Sequence, residues 1–155
     1  MPTLTTPNTG IEIFYEDRGS PDAEVILLVM GLGAQMTLWP DELVEALVGE
    51  GFRVIRYDNR DIGLSQKMDG ARAPWLPVQV LRKKIGFPAK VPYTLTDMAH
   101  DGIGALDALG IERAHVVGAS MGGMIVQLMA VHFPERLMSM TSIMSTTGNP
   151  KLPQA

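Results

Sequence analysis

The chain has 155 residues, a formal net charge of −4 and no cysteine. That length allows one modest domain with a core of its own, and the acidic balance argues against nucleic acid or an anionic membrane as partner. Without cysteine there is no disulfide framework and no thiolate metal site, a composition that fits a reducing cytoplasm. The start, Met1-Pro2-Thr3-Leu4-Thr5-Thr6-Pro7, has neither the basic opening nor the apolar centre of a secretory signal. No apolar run approaches the roughly 18 residues of a membrane span.

Along the chain, Ile11 to Asp17 mixes β-branched and aromatic residues and runs into Gly19-Ser20-Pro21, which predicts a strand and a turn. Glu24 to Met30 contains the continuous apolar run Val25-Ile26-Leu27-Leu28-Val29, the pattern of a strand covered on both faces in a parallel sheet. Pro40 to Glu50 predicts a helix with Leu43, Val44, Leu47 and Val48 on one face, stopped by Gly51. Phe52 to Tyr57 is the next expected strand. Residues 66–92 break the rhythm, with four prolines and six of the thirteen basic residues against one acid, Asp69. This reads as a solvated surface excursion, with an anion-attracting rim as the sharper alternative.

Thr96 to Leu109 predicts a helix capped by Thr96 and ended by Gly110, with Met98, Ile103 and Leu106 inward and His100, Asp97, Asp101 and Asp107 outward. Arg113 to Gly118 predicts a strand. Met121 to Phe133 predicts a helix apolar nearly all round, hence buried, and Leu137 to Met144 a last strand. Strands alternating with helices imply right-handed βαβ units and a doubly wound, mostly parallel sheet of about six strands. Eleven methionines serve core filling more naturally than a plastic binding surface.

Between the last expected strand but one and the last expected helix lies Gly118-Ala119-Ser120-Met121-Gly122. A Gly-x-Ser-x-Gly between strand and helix is the pattern of a nucleophile elbow. The chain reverses within about one residue, so the serine takes a strained backbone conformation. The positions two before and two after have room only for glycine. The hydroxyl is left at the tip, over the positive end of the following helix.

Three patches in order make the chain resemble the α/β-hydrolase superfamily, especially its small esterase and cofactor-free haloperoxidase-like members. Met30-Gly31-Leu32-Gly33 is similar to the loop after the family's third strand, with Met30 where many members have histidine. Asp58-Asn59-Arg60-Asp61-Ile62-Gly63-Leu64-Ser65 resembles the Asp-x-Arg-Gly-x-Gly-x-Ser loop, with Asp61 in place of a glycine. Gly118 to Gly123 matches the elbow. Ile143 to Pro150 is similar to the segment leading into the cap domain of aclacinomycin-methylesterase-like members. The resemblance implies that residues 1–155 are the N-terminal part of a single α/β-hydrolase domain. It makes Ser120 the nucleophile towards a small ester-like substrate, and it makes the amides of Leu32 and Met121 an oxyanion hole. It implies no cofactor and no metal, and a serine at the elbow argues against epoxide hydrolase or dehalogenase chemistry.

Only 35 residues follow Ser120, and the family's order is Ser, then Asp or Glu, then His. His115 lies five residues before Ser120, roughly 16 Å away at strand rise. His132 lies twelve after it, roughly 18 Å along the helix. Both are far beyond the ~3 Å reach of a general base. Glu135 is the one carboxylate side chain after the serine. Asp58 and Arg60 are expected to pin their loop to each other and to nearby amides. Gly31-x-Gly33 begins a dinucleotide-type loop, but Met36 stands at the third glycine position. The readings left open are an enzyme part lacking its acid and histidine, a non-catalytic module, and one polypeptide of a split enzyme. The last strand lacks a neighbour, so a homo-oligomer or a complementary C-terminal polypeptide is the expected partner.

Overall fold

The computed structural model describes residues 2–70, 77, 78, 81, 85, 86 and 91–149. The excursion's Arg72, Arg82, Lys83, Lys84 and Lys90 therefore lie outside the described residues. Six strands form one sheet: β1 (Thr3–Thr5), β2 (Glu12–Arg18), β3 (Val25–Val29), β4 (Arg53–Tyr57), β5 (Ala114–Ala119) and β6 (Leu137–Ile143). The spatial order is β1-β2-β4-β3-β5-β6. β1 and β2 run antiparallel to their neighbours, whereas β4, β3, β5 and β6 are parallel. The α-helices that accompany them among the described residues include α1 (Asp41–Gly49), α2 (Leu95–Ala108) and α3 (Met121–His132).

β3 is buried at every position because both faces of the sheet are covered. Leu27 and Val29 join Ile13, Ile55, Leu106, Ile125 and Met129 in the larger core, which includes residues of α2 and α3. Ile26 and Leu28 point the other way, into a smaller core with Val44 of α1, Val54 and Trp39. Helices on opposite faces of a mostly parallel sheet make the fold doubly wound.

Three expectations need correction. The cap of α2 is Thr94, not Thr96: Asp97, three residues after Thr94, bonds back to the Thr94 amide and completes a reciprocal capping box. Asp101 is not on a solvated face but 2% exposed, because it is paired with Arg60. α3 is buried along Gly122, Gly123, Ile125, Val126 and Met129, yet Val131 is 71% exposed, so apolarity all round did not mean burial all round. The spacing also missed β1, whose threonines carry little strand signal and which is fixed by pairing with β2.

Candidate active site

The site lies at the carboxyl ends of the parallel strands, where loops after β3, β4, β5 and β6 converge. Ser120 follows β5 with φ 55° and ψ −118°, in the left-handed half of backbone space that a non-glycine residue occupies only when its surroundings compel it. The compulsion is visible on both sides. A Cβ on Gly118 would overlap the Gly122 carbonyl, and one on Gly122 would overlap the Val29 carbonyl. The strand and the helix therefore approach to backbone contact, and the serine between them is driven outward and exposed. The Gly123 amide bonds to the Ser120 carbonyl at 3.0 Å and starts α3.

The loop after β3 lies against this turn. A Cβ on Gly31 would stand 3.1 Å from that of Ser120 and 3.5 Å from the Met121 nitrogen. Two side chains of the loop after β4 hold it. Asp58 accepts from the Met36 amide at 2.7 Å and from the Leu64 amide at 3.1 Å, and the Asn59 side chain donates to the Met30 carbonyl at 2.9 Å. Ser65 closes the loop by donating to the Asp58 carbonyl at 2.6 Å and accepting from the Phe14 amide at 2.9 Å. Asp61 takes the left-handed conformation (φ 67°) of the glycine it replaces, and its carboxylate accepts from the Met68 amide at 2.7 Å. Asp58 thus pins neighbouring amides as expected, but Arg60 does not pair with it. Arg60 donates to both carboxylate oxygens of Asp101 at 2.6 Å and ties the loop to α2. Burial opposes the guanidinium's charge, yet the Asp101 partner holds its pKa above the ordinary arginine value.

Leu32, Ser120 and Met121 line one cleft of about 670 Å³, together with Leu95, Met124, Met144, Ser145 and Thr146. The last five were not read as site residues from the sequence. Met124 stands four residues after Ser120, one helical turn on, and so shares its face. Met144 to Thr146 follow the parallel strand beside the elbow, where α/β folds place ligands. Both signals were available. Met144 itself is 83% exposed and has a positive φ of 49°.

The structure leaves all three histidines away from Ser120. His115 Nδ1 is 2.7 Å from the Ser139 hydroxyl, and its Nε2 is 3.5 Å from Glu24. His100 Nδ1 lies 2.8 Å from the Thr96 carbonyl, and its ring stands edge-on to Phe133. The His132 ring lies beside Phe133 at the far end of α3. Glu135 is in the short 3₁₀ turn beyond that end. Among the described residues no group of three or more His, Asp or Glu could hold a metal ion, and no helix is long and apolar enough to cross a membrane.

A strained serine on a strand-to-helix turn, at the carboxyl edge of a doubly wound sheet, is the architecture of an α/β hydrolase. The chain belongs to the alpha/beta hydrolase fold family, whose sequence model matches residues 24–155. It is 37% identical over 141 residues to the rhodomycin D methylesterase DnrP of Streptomyces peucetius, covering 91% of this chain and 41% of that protein. It is also 37% identical over 134 residues to the putative carbamate hydrolase RutD of Caulobacter segnis, covering 85% of this chain and 42% of that protein. Among solved structures, a hydrolase from Pseudomonas aeruginosa PA01 superimposes with a TM-score of 0.73 at 28% identity, over 94% of this chain and 46% of that one. The chain thus spans about two-fifths of the length of these curated relatives.

Proposed function

We propose that residues 1–155 form the nucleophile-bearing N-terminal part of a serine hydrolase that cleaves an ester-like bond. The observation that carries this reading is the backbone of Ser120, held left-handed and exposed on the floor of a cleft that Leu32 and Met121 also line. In the reaction Ser120 Oγ bonds to the carbonyl carbon and gives its proton to a base. The carbonyl oxygen takes the charge, opposite the amides of Leu32 and Met121. The Met121 amide is among the first of α3, which no intrahelical acceptor satisfies. The tetrahedral adduct then expels the alcohol, which takes the proton from the base, and water releases the acid from Ser120. The relatives' names, a methylesterase and a putative carbamate hydrolase, support an ester-like substrate.

The base and its orienting acid come from polypeptide other than these 155 residues, since His100, His115 and His132 are engaged elsewhere. A complementary C-terminal polypeptide would seat against β6. A second reading, an associating module without catalysis of its own, draws on the same strand, because Met138, Met140 and Ile143 are each more than a third exposed.

An alkyl fluorophosphonate and a short p-nitrophenyl ester test the proposal. The folded chain should add one phosphonyl group slowly, at Ser120, with no addition in Ser120→Ala, and it should show no Ser120-dependent ester turnover. Failure to label Ser120 overturns the nucleophile assignment. Robust turnover abolished in Ser120→Ala overturns the placement of the base outside the chain. Removing the base from a serine protease costs on the order of 10⁶ in turnover, so the two results are far apart.

A further inference from the structure

A second hollow of about 370 Å³ adjoins the Ser120 cleft. The two share Leu32, Leu95 and Met121, so a molecule whose carbonyl sits at Ser120 has two directions in which to extend. Among the described residues the walls of the second are mostly apolar, and the charged side chain in them is Arg60. Arg60 is only 6% exposed. Its Nε and one Nη are spent on Asp101, and the same Nη reaches the Asp97 carbonyl at 3.4 Å. One face of the guanidinium stacks 5.1 Å from the centre of the Tyr93 ring, which lines the same hollow. The other Nη makes no hydrogen bond among the described residues.

Charge decides what that remaining edge can hold. Asp101 already balances Arg60. Asp97 lies close enough to act on the Arg60 charge and Asp61 on that of the Tyr93 hydroxyl, so further negative charge stands nearby. An incoming carboxylate would meet a guanidinium already balanced by Asp101, with further acids nearby. An uncharged oxygen such as a ketone, amide or ether meets a positively charged donor without that repulsion.

We propose that this hollow is a substrate subsite in which the outer N–H edge of Arg60 holds an uncharged oxygen on one arm of the ester. The inference rests on the reading of Ser120 as nucleophile and deepens it: the substrate is an ester with a neutral acceptor on one arm, not a carboxylated one.

Three fluorophosphonates of equal length test it on the 155-residue chain, one arm ending in a dimethylamide, one in the isosteric alkyl group and one in a carboxylate. Each forms an Oγ–P bond at Ser120 with loss of fluoride, read by intact mass. The amide probe should label about tenfold faster than the alkyl probe, the size of one hydrogen bond to a charged donor, and the carboxylate probe more slowly than either. In Arg60→Lys the cation opposite Asp101 is kept and the outward N–H edge is lost, so the amide-to-alkyl ratio should fall to about one. If that variant does not fold, the paired Arg60→Met, Asp101→Leu variant reads the same ratio. Absence of labelling by all three probes overturns the nucleophile reading. Labelling with no amide preference, or a preference that survives loss of the guanidinium, overturns the subsite alone. A carboxylate probe that labels fastest overturns the assignment of an uncharged arm.

Discussion

The amide of Ser120 donates to the carbonyl of Ile143 at 2.9 Å. The backbone of the elbow serine is thus anchored by the last residue of β6, a strand exposed from Met138 onward. Geometry at the elbow is held by contacts on three sides: β6 through this bond, β3 through Gly122, and the loop after β3 through Gly31.

Gly122→Ala should be the most damaging small change at the site. The added methyl meets the carbonyl of Val29, which cannot swing aside as a side chain could. We expect a loss of about 1–3 kcal/mol or more, the range for overpacking a filled interior, together with loss of Ser120 labelling. Chemical denaturation monitored by circular dichroism measures it, and a variant as stable as the parent with unchanged labelling would refute it.

Asp58→Asn should loosen the loop after β3. The buried carboxylate accepts from two amides, and an amide side chain replaces one of those acceptors with a donor. A cost of about 1–3 kcal/mol follows from one buried donor left unsatisfied. Hydrogen exchange at Met36 and Leu64 should rise together. Protection unchanged at both amides would show that the carboxylate does not hold them.

Thr94 and Asp97 predict a pH dependence. Hydrogen bonds from the Thr94 side chain and amide hold the Asp97 carboxyl below its ordinary value of 3.8. A folded pKa below the unfolded one gives stability that is present above the unfolded value and is lost as pH falls through the folded value. Stability should therefore decline below about pH 3.8 in the parent, and part of that slope should vanish in Asp97→Asn. Thr94→Ala should cost about 1 kcal/mol at neutral pH. A parent and an Asp97→Asn variant with the same acid slope would contradict the assignment.

The exposed strand β6 predicts association. Its open hydrogen-bonding edge and the side chains of Met138 and Met140 invite another strand. Sedimentation at micromolar concentration should show a dimer or larger species, shifted towards monomer in Met140→Lys. A clean monomer for the parent chain would remove the second reading offered for β6.

The parallel strands, α1, α3 and the elbow were legible in the sequence because each states its condition locally. An unbroken apolar run requires cover on both faces, and glycines two either side of a serine require a tight crossing. What escaped depends on distant partners. Asp101 looks like a solvent-facing acid until Arg60, 41 residues away, is brought against it. β1 is a strand only because β2 lies beside it. Thr94 and Thr96 are equivalent caps in isolation, and only Asp97 three residues beyond Thr94 separates them.

The turn between β1 and β2 also fastens onto α2. Asn8 donates to the His100 carbonyl at 2.8 Å and Thr9 to Asp101 at 2.6 Å, each across 92 residues, and a Cβ on Gly104 would overlap the Asn8 side chain. This sets an order for the chain's emergence from the ribosome. β2 can pair with β4 once both have emerged, but the turn between β1 and β2 gains these bonds only after residues 95–108 have left the exit tunnel. That turn is therefore secured later than the pairing of β3 with β4. In pulsed hydrogen exchange during refolding, the amides of Thr3–Thr5 should gain protection after those of Val25–Val29, and the reverse sequence would contradict this order.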